Sequence, residues 1–369
     1  DRRRRTRGRG TGAAGRSARL RTRHRMSLRR LAARLVATAA AASGWLRMAR
    51  RRRHRRGDFR LYILEYHDVD PEREFEGTVS AQRFQNHLRH LGRRYRTVTL
   101  ADAVEHLRAG ELGQDLIVIT FDDGYAGNYE AAWPVLRDEN LPATIFLTSG
   151  FLDGNPLWFD TARRSLAALR QGCPEVDHAR QTILRSALGT WPLAASDLDP
   201  AGINRLMRSL KYQPPARRRA ALEALIELEL ERAPAARPMS WQQVGEMQAG
   251  GIEFGAHTVT HPILSTLEPD AQEDEIVRSR QRIADATGIE PTSFAYPNGS
   301  ARDYDQHTVE ILDRCGFAAA CTTRRGSNAP GCAPLTLRRL GIGSDPLTLL
   351  DARLGGLFDE DMRARFRAQ

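Results

Sequence analysis

Short apolar runs alternate with amphipathic stretches along most of the chain, beginning at Leu61. The runs are rich in β-branched and aromatic side chains, which is typical of buried strands. Between them, apolar residues recur every three or four positions, which is the spacing of one helix face. A helix is predicted from Ser80, and another from Ser240, where Gln243 completes a capping box. The pattern also predicts strands over residues 61–67, 97–100, 116–121, 143–147, 252–255, 293–296 and 317–322, and helices over 101–108, 129–140, 269–287 and 305–315.

The order of these elements indicates the fold class. A strand followed by a helix, repeated along the chain, predicts a parallel sheet, and we expect it to close into a distorted (β/α) barrel. Residues 151–238 interrupt the repeat with helical sequence rich in Arg, Ala and Leu, and we interpret them as a helical insertion on the barrel rim. The chain therefore divides into a tail at residues 1–56 and a barrel with its insertion at residues 57–369.

The charge of the chain is divided unevenly between these two parts. The 369 residues carry a formal net charge of +11, but residues 1–60 contain 22 arginines against Asp1 and Asp58. That stretch therefore carries +20, which leaves −9 for the remaining residues. The folded body is acidic, whereas the tail is a basic, low-complexity segment that cannot form a core of its own.

The tail allows several interpretations. Arg29 and Arg30 precede the weakly apolar residues 35–46, a pattern that resembles a secretory signal. The arginines that follow, beginning with Arg47, oppose translocation. A targeting signal, association with a membrane surface and plain disorder therefore all stay open. Nucleic acid is not expected as a partner, because arginines attract phosphates but the arginine runs contain no interleaved aromatic residues to read bases.

Two neighbouring carboxylates close the strand at 116–121. The sequence Thr-Phe-Asp-Asp-Gly-Tyr at 120–125 places Asp122 and Asp123 at its C-terminal tip. Consecutive side chains on a strand point to opposite faces, so both acids can serve one site only if the chain bends, which Gly124 allows. One acid could then hold a metal ion while its neighbour holds a proton. The sequence Asp-Asp-Gly also forms ordinary turns.

Two histidines follow a later strand. His257 and His261 stand four apart in Gly-Ala-His-Thr-Val-Thr-His-Pro at 255–262. They can converge on one ion if the chain between them forms a helical turn or a tight loop, and the flanking Gly255 and Pro262 favour the loop. With one Asp they would give three protein ligands and leave positions open for water and substrate, as in catalytic zinc sites. Taken alone, such a pair is more often two unrelated surface histidines.

A third motif, Ser-Phe-Ala-Tyr-Pro-Asn-Gly at 293–299, completes a set. In this order and spacing the three motifs resemble those of polysaccharide deacetylases of the NodB-homology type, carbohydrate esterase family 4, over roughly residues 60–345. The Phe-Ala-Tyr-Pro motif is similar to that of the poly-β-1,6-N-acetylglucosamine deacetylase branch. The resemblance implies a NodB-type deacetylase barrel in the cell envelope that removes N-acetyl groups from N-acetylhexosamine residues of a glycan. It also places an oxyanion donor and a substrate contact at Tyr296 and Pro297.

The resemblance further implies roles for the carboxylates and histidines. Asp123, His257 and His261 would bind a divalent metal ion, most often Zn²⁺. Asp122 would be the general base that takes a proton from water. The chemistry agrees with this division, because a divalent ion makes water more acidic and a free carboxylate beside it can accept the proton.

The chain departs from the broader family pattern in two places. Ala295 stands where the family has an arginine that orients the base, and Arg338 or Arg339 is a candidate replacement. The stretch at 335–340 lacks the histidine that usually supplies the general acid. His67, at the end of the first strand, resembles the acid of the poly-β-1,6-N-acetylglucosamine branch, in which the motif order is circularly permuted. A strand-end histidine could instead merely cap the barrel, but an imidazole that titrates at about 6.5 can donate a proton at neutral pH.

Three functions compete on these observations: a metal-dependent N-deacetylase, a small-molecule amide hydrolase on the same barrel, and a catalytically silent glycan-binding module. The Asp-His-His set argues against the second, whose known relatives work without a metal. The retained second carboxylate argues against the third, because binding alone needs no base. In the insertion, Trp158, Phe159 and Trp191 are either core residues or platforms on which sugar rings stack.

Overall fold

The computed structural model describes residues 28–70, 78–169, 177–228 and 235–357. The strands are β1 (Leu61–Tyr66), β2 (Asp68–Val69), β3 (Thr78–Val79), β4 (Arg96–Thr97), β5 (Leu116–Phe121), β6 (Thr144–Leu147), β7 (Glu253–Ala256), β8 (Ser293–Ala295), β9 (Ala319–Arg325) and β10 (Leu337–Gly341). The helices are α1 (Leu28–Ala42), α2 (Trp45–His54), α3 (Ala81–Gly92), α4 (Leu100–Arg108), α5 (Trp133–Asp138), α6 (Ser149–Leu152), α7 (Trp158–Ala168), α8 (His178–Leu188), α9 (Pro200–Lys211), α10 (Pro215–Ile226), α11 (Trp241–Ala249), α12 (Pro269–Thr287), α13 (Gln306–Arg314) and α14 (Leu347–Leu354).

Seven of these strands form a closed parallel barrel. Going round the barrel, β1 is followed by β10, β9, β8, β7, β6 and β5, and β5 pairs again with β1. Because every pair in the ring is parallel, all seven carboxyl ends open at the same end. The β4 strand extends the sheet beside the start of β5, and β2 pairs with β3 outside the ring. The predicted (β/α) barrel is confirmed.

The barrel interior changes from apolar to charged along its strands. Successive strand residues point alternately inward and outward. Leu61, Ile63, Val118 and Phe146 belong to one buried cluster in the barrel. The following positions of the same alternation are polar and buried, and they comprise Glu65, Thr120, Asp122 and Arg339. Polar groups therefore gather at the carboxyl ends of the strands, where barrels carry their chemistry.

The helices cover the outer face of the barrel. Phe84, Leu88 and Leu91 of α3 pack in the same cluster as Tyr62 and Ile117. The strand at 116–121 and the helix at 269–287 have the predicted bounds, and the other predicted elements differ by a few residues at their ends. The predicted capping box at the start of α11 is present, with both of its hydrogen bonds.

The helices α7 to α10 form the insertion predicted between the β6 and β7 strands. They enclose a hydrophobic core of their own, which includes Leu166, Leu184 and Leu210. Trp191 lies in this core with 5% of its surface exposed, so it packs the insertion and does not offer a platform for a sugar. The other two aromatic residues considered as platforms, Trp158 and Phe159, contact His261 after β7.

Two elements at the C-terminal side were not predicted. The β10 strand closes the barrel between β9 and β1, and α14 packs next to α1 and α3. The sequence of β10, Leu-Arg-Arg-Leu-Gly, contains no apolar run because two of its five positions are arginines. This strand therefore lacks the apolar run by which the other barrel strands were predicted.

The structure describes the basic tail from residue 28 onward. Residues 28–54, part of the segment predicted to be disordered or to carry a targeting signal, form α1 and α2. Ala37 and Leu46 pack against Leu349 and Ala352 of α14. Residues 1–27 lie outside the described part of the chain. Among the described helices, none has the length and apolar character needed to span a bilayer.

Candidate active site

The two acids after β5 are held by a sharp backbone turn. Asp122 keeps the inward direction of the β5 alternation, and Asp123 has a φ of 77°, followed by a φ of 89° at Gly124. A non-glycine residue in this left-handed region is uncommon and is typical of functional sites. The bend predicted at Gly124 thus begins one residue earlier, at Asp123. It brings both carboxylates to the carboxyl end of the barrel, where both are buried.

Asp123, His257 and His261 come together at this end of the barrel. The Oδ1 atom of Asp123 lies 3.5 Å from Nε2 of His257 and 3.4 Å from Nε2 of His261. The histidines follow β7 on a loop, as the flanking residues predicted, and the loop contains left-handed backbone at Thr258 and His261. One ligand atom from each of the three side chains lies within 4.8 Å of the other two.

The surroundings of the two histidines orient their Nε2 atoms. His257 donates from Nδ1 to the carbonyl oxygen of Ala295 at 2.6 Å, which leaves Nε2 to face Asp123. A hydrogen bond of this kind fixes the tautomer of a metal-binding histidine. The ring of His261 packs against Phe159 with centroids 4.8 Å apart, and its carbonyl accepts from Nε1 of Trp158 at 3.0 Å. The start of α7 in the insertion therefore supports the second histidine.

The three side chains have the properties of a cation site. Both carboxylate oxygens of Asp123 are buried and have no hydrogen-bond partner among the described residues. Burial raises the pKa of Asp123 to about 8, and the neighbouring Asp122 carboxylate acts in the same direction. Burial lowers the pKa of His257 to about 4 and that of His261 well below its ordinary value. Two neutral imidazoles and a buried carboxylate that has no hydrogen-bond partner among the described residues fit a divalent ion such as Zn²⁺.

Asp122 faces an arginine that reaches it from β10. Arg339 donates from its two terminal nitrogens to the two carboxylate oxygens of Asp122, at 2.7 Å each. Both side chains are buried. Burial favours the neutral acid, but the guanidinium group of Arg339 outweighs it and holds the pKa of Asp122 well below its usual range. Of the two candidate arginines, Arg339 is therefore the one that contacts Asp122.

A second carboxylate lies on the other side of this arginine. Oε2 of Glu65 is 3.6 Å from Nε of Arg339, and Oε1 of Glu65 is 3.9 Å from Nε2 of His67. One ligand atom each from Glu65, His67 and Asp122 lies within 4.8 Å of the others. Glu65 was not among the residues predicted from the sequence, although the alternation of β1 continued by one residue places Glu65 and His67 on the same side of the chain.

His67 sits beside the two carboxylates at the end of β1. Its side chain is 35% exposed, so a substrate can reach it. Burial of the ring lowers its pKa, but the carboxylates of Asp123, Asp122 and Glu65 together raise it above the ordinary value. A proton is therefore held on His67 more firmly than on a free imidazole, which is the state that a general acid needs.

Tyr296 and Pro297 directly follow Ala295, whose carbonyl accepts from His257, but their own hydrogen-bonding groups are already used or absent. The N–H of Tyr296 donates to the carbonyl of Cys321 at 3.1 Å, and its hydroxyl donates to the carbonyl of Leu335 at 2.7 Å. Its ring stacks on Tyr304. Pro297 has no N–H to donate. An oxyanion contact from Tyr296 would therefore require one of these two hydrogen bonds to break.

Comparisons with known proteins agree with the fold and the motifs. The model of the polysaccharide deacetylase family matches residues 109–184 and 216–320, which include both the paired carboxylates and the two histidines. The chain is similar to the "Putative polysaccharide deacetylase YxkH" of Bacillus subtilis (strain 168), with 20% identity over 285 residues that cover 77% of this chain and 71% of that protein.

Two solved structures share the barrel. The Streptococcus pyogenes deacetylase PplD in complex with acetate is 18% identical, covers 79% of this chain and 96% of its own, and superposes with a TM-score of 0.52. IcaB from Ammonifex degensii is 22% identical, covers 80% of this chain and 97% of its own, and also gives a TM-score of 0.52. At these identities the likeness shows the fold alone.

Proposed function

We propose that this chain, whose place among the polysaccharide deacetylases is supported by the family model and by its curated relative, is a metal-dependent N-deacetylase. It would remove N-acetyl groups from N-acetylhexosamine residues of a polysaccharide. The observation that carries the proposal is the cluster of Asp123, His257 and His261 next to an ionised Asp122. This cluster offers a cation three ligands and offers water a base in the same place.

The proposed reaction is the hydrolysis of an amide. A divalent ion held by Asp123, His257 and His261 would polarise the acetyl carbonyl and make a water molecule more acidic. Asp122 accepts a proton from the attacking water as its oxygen bonds to the carbonyl carbon. His67 donates a proton to the sugar nitrogen while the carbon–nitrogen bond breaks. The products are acetate and a free amine on the sugar.

Arg339 and Glu65 support the two proton-transfer groups. The two hydrogen bonds from Arg339 favour the ionised form of Asp122, so its base form is present at neutral pH. Glu65 lies within reach of both Arg339 and His67, and its negative charge favours the protonated form of His67. We class both as positioning residues, because each acts through Asp122 or His67.

We further propose a branch of the family, a metal ion and a cellular location for this activity. The position of His67 on the first strand favours the poly-β-1,6-N-acetylglucosamine branch, and the nitrogen-rich ligand set favours Zn²⁺. A glycan substrate in turn suggests action in the cell envelope. We propose Tyr296 and Pro297 as substrate contacts near the acetyl group. A contact from Tyr296 to the oxyanion would require one of its two hydrogen bonds to break.

The experiment that tests the function measures acetate release from β-1,6-linked and β-1,4-linked N-acetylglucosamine oligomers by the full chain. The Asp122→Asn variant removes the base, and Asp274→Asn makes the same change at an exposed position of α12. Release by the parent and by Asp274→Asn, but not by Asp122→Asn, would establish the deacetylase. The preferred linkage would identify the branch.

The same assay separates the alternatives. A chelator that abolishes release, with Zn²⁺ restoring it, argues against a metal-independent amide hydrolase. Glycan binding without release by either the parent or Asp122→Asn would favour a silent binding module and overturn the proposal.

A further inference from the structure

The α2 helix has two faces of different character. One face contacts the barrel: Arg50 donates to the Tyr95 hydroxyl at 2.8 Å, and Arg53 pairs with Asp115 at 2.7 Å. His54 also reaches Asp115 at 2.7 Å. These side chains fix the helix against the folded body. The helix is therefore an ordered part of the surface.

The other face of α2 carries a row of positive charge. Arg47, Arg51, Arg52 and Arg55 recur at helical spacing and, with Met48, line one surface cavity of about 660 Å³. All four arginines are exposed, and within the described ranges none of them has an ion-pair partner. A row of guanidinium groups without carboxylates is a site for anions.

Exposed apolar side chains lie in the same pair of helices. Leu35 and Val36 of α1 are 63% and 51% exposed, and Met48 of α2 is 63% exposed. The opposite side of the pair is buried, since Ala37 and Leu46 pack on α14. Large apolar side chains next to arginines on an exposed helix are typical of segments that lie in a membrane interface.

We infer that the α1–α2 pair docks on a bilayer that contains anionic phospholipids. The arginine row would bind the phosphate headgroups, and Leu35, Val36 and Met48 would enter the boundary between headgroups and acyl chains. Charge complementarity alone would also suit nucleic acid. The apolar side chains favour a bilayer, because a nucleic acid backbone offers them nothing to bury against.

Such docking sets the orientation of the barrel. Asp115 and Tyr95 come directly before β5 and β4, so α2 sits at the amino-terminal end of the strands. Asp122 and His257 follow the carboxyl ends. The six residues of β5 separate the two ends by about 20 Å. The catalytic cluster would therefore open away from the bilayer, toward a polymer outside the headgroup layer.

The test is sedimentation of the full chain with vesicles of phosphatidylcholine, with and without phosphatidylglycerol. The variant Arg47→Gln/Arg51→Gln/Arg55→Gln removes three charges from the arginine row. The matched control Arg208→Gln/Arg217→Gln/Arg219→Gln removes three exposed charges from the insertion. We expect the first variant to partition about 100-fold more weakly to the anionic vesicles, and the control to behave like the parent. Thermal melting of both variants verifies that they are folded.

A second variant tests the apolar contribution. We expect Leu35→Ser/Met48→Ser to reduce the binding that remains when salt at about 1 M shortens the Debye length to about 3 Å. The proposal is overturned if the arginine variant binds vesicles as the parent does, which would assign binding to the arginines before α1. It is also overturned if the parent prefers an oligonucleotide, or if the same face instead joins two copies of the chain. Vesicle binding does not use acetate release, so its outcome is independent of the proposed function.

Discussion

Arg339 and Asp122 are 217 positions apart in the sequence and share two hydrogen bonds of 2.7 Å inside the barrel. The two residues come from β10 and β5, which are separated by β1 in the ring. Both are buried, so neither charge can be compensated by water. The pair forms only when the barrel closes, and it therefore links the integrity of the fold to the ionisation of Asp122.

Replacing Arg339 should damage stability and activity together. Removal of one partner from a buried ion pair typically costs about 3–5 kcal/mol, because the other charge remains buried and unpaired. We therefore expect Arg339→Met to lower the free energy of unfolding by about that amount and to abolish acetate release. Denaturant melts and the acetate assay measure the two effects.

The neighbouring arginine offers a matched control for this change. Arg338 points to the opposite face of β10, so Arg338→Met should leave acetate release near the parent value. Arg339→Lys retains the charge but cannot form both hydrogen bonds, and we expect an intermediate loss. Equal losses in Arg338→Met and Arg339→Met would show that the pair with Asp122 is not responsible.

Glu65 should raise the pKa of His67, the proposed proton donor. Its carboxylate contributes to the raised pKa of His67, so Glu65→Gln should lower that pKa. Less His67 would then carry a proton at neutral pH, and the high-pH limb of the kcat/KM profile should move to lower pH. Glu65→Asp, which retains the charge, should restore part of the shift.

The His67→Gln variant tells whether that limb belongs to His67. If the high-pH limb persists in His67→Gln, another group donates the proton and the role of Glu65 must be revised. If the limb disappears, then Glu65→Gln in the His67→Gln background should cause no further change in the profile.

The chelated protein should lose stability as the pH rises toward 8. The folded-state pKa of Asp123 is raised to about 8, so the folded protein holds a proton that the unfolded chain releases at lower pH. Stability from this group is complete below its unfolded pKa and is lost as the pH rises through about 8. His257, lowered from 6.5 to about 4, has the opposite effect only below 6.5.

Thermal melts of the chelated protein between pH 6.5 and pH 8 measure this loss of stability. We expect the melting temperature of chelated protein to fall from pH 6.5 to pH 8, and saturating Zn²⁺ to remove the fall. Asp123→Asn should remove the response to Zn²⁺ and reduce the fall with pH, and the part of the fall that remains is expected from His67, whose pKa is also raised. A melting temperature of the chelated protein that rises over this interval would contradict the raised pKa of Asp123.

The sequence predicts the barrel and the cluster of Asp123, His257 and His261 because both depend on local patterns. Asp122, Asp123 and His257 follow short apolar runs, and a parallel barrel brings the ends of such runs together. Arg339 could only be offered as one of two candidates, since its partner lies across the barrel and its strand carries no apolar run. The contacts that order α1 and α2 could not be predicted either, because small residues such as Ala37 pack there within a low-complexity, arginine-rich segment.

The first helix of the insertion, α7, contacts His261 of the cluster formed by Asp123, His257 and His261. Trp158 donates to the carbonyl of His261, and Phe159 packs on its ring. Residues that orient a metal ligand typically affect metal affinity by about 10–100-fold. We therefore expect Trp158→Phe, which removes the donor but keeps a ring, to weaken Zn²⁺ binding by about tenfold in competition with a chromophoric chelator. The matched change Trp191→Phe, in the insertion's own core, should lower the melting temperature without changing Zn²⁺ affinity. Equal Zn²⁺ affinities in the two variants would mean that the insertion covers the site without positioning His261.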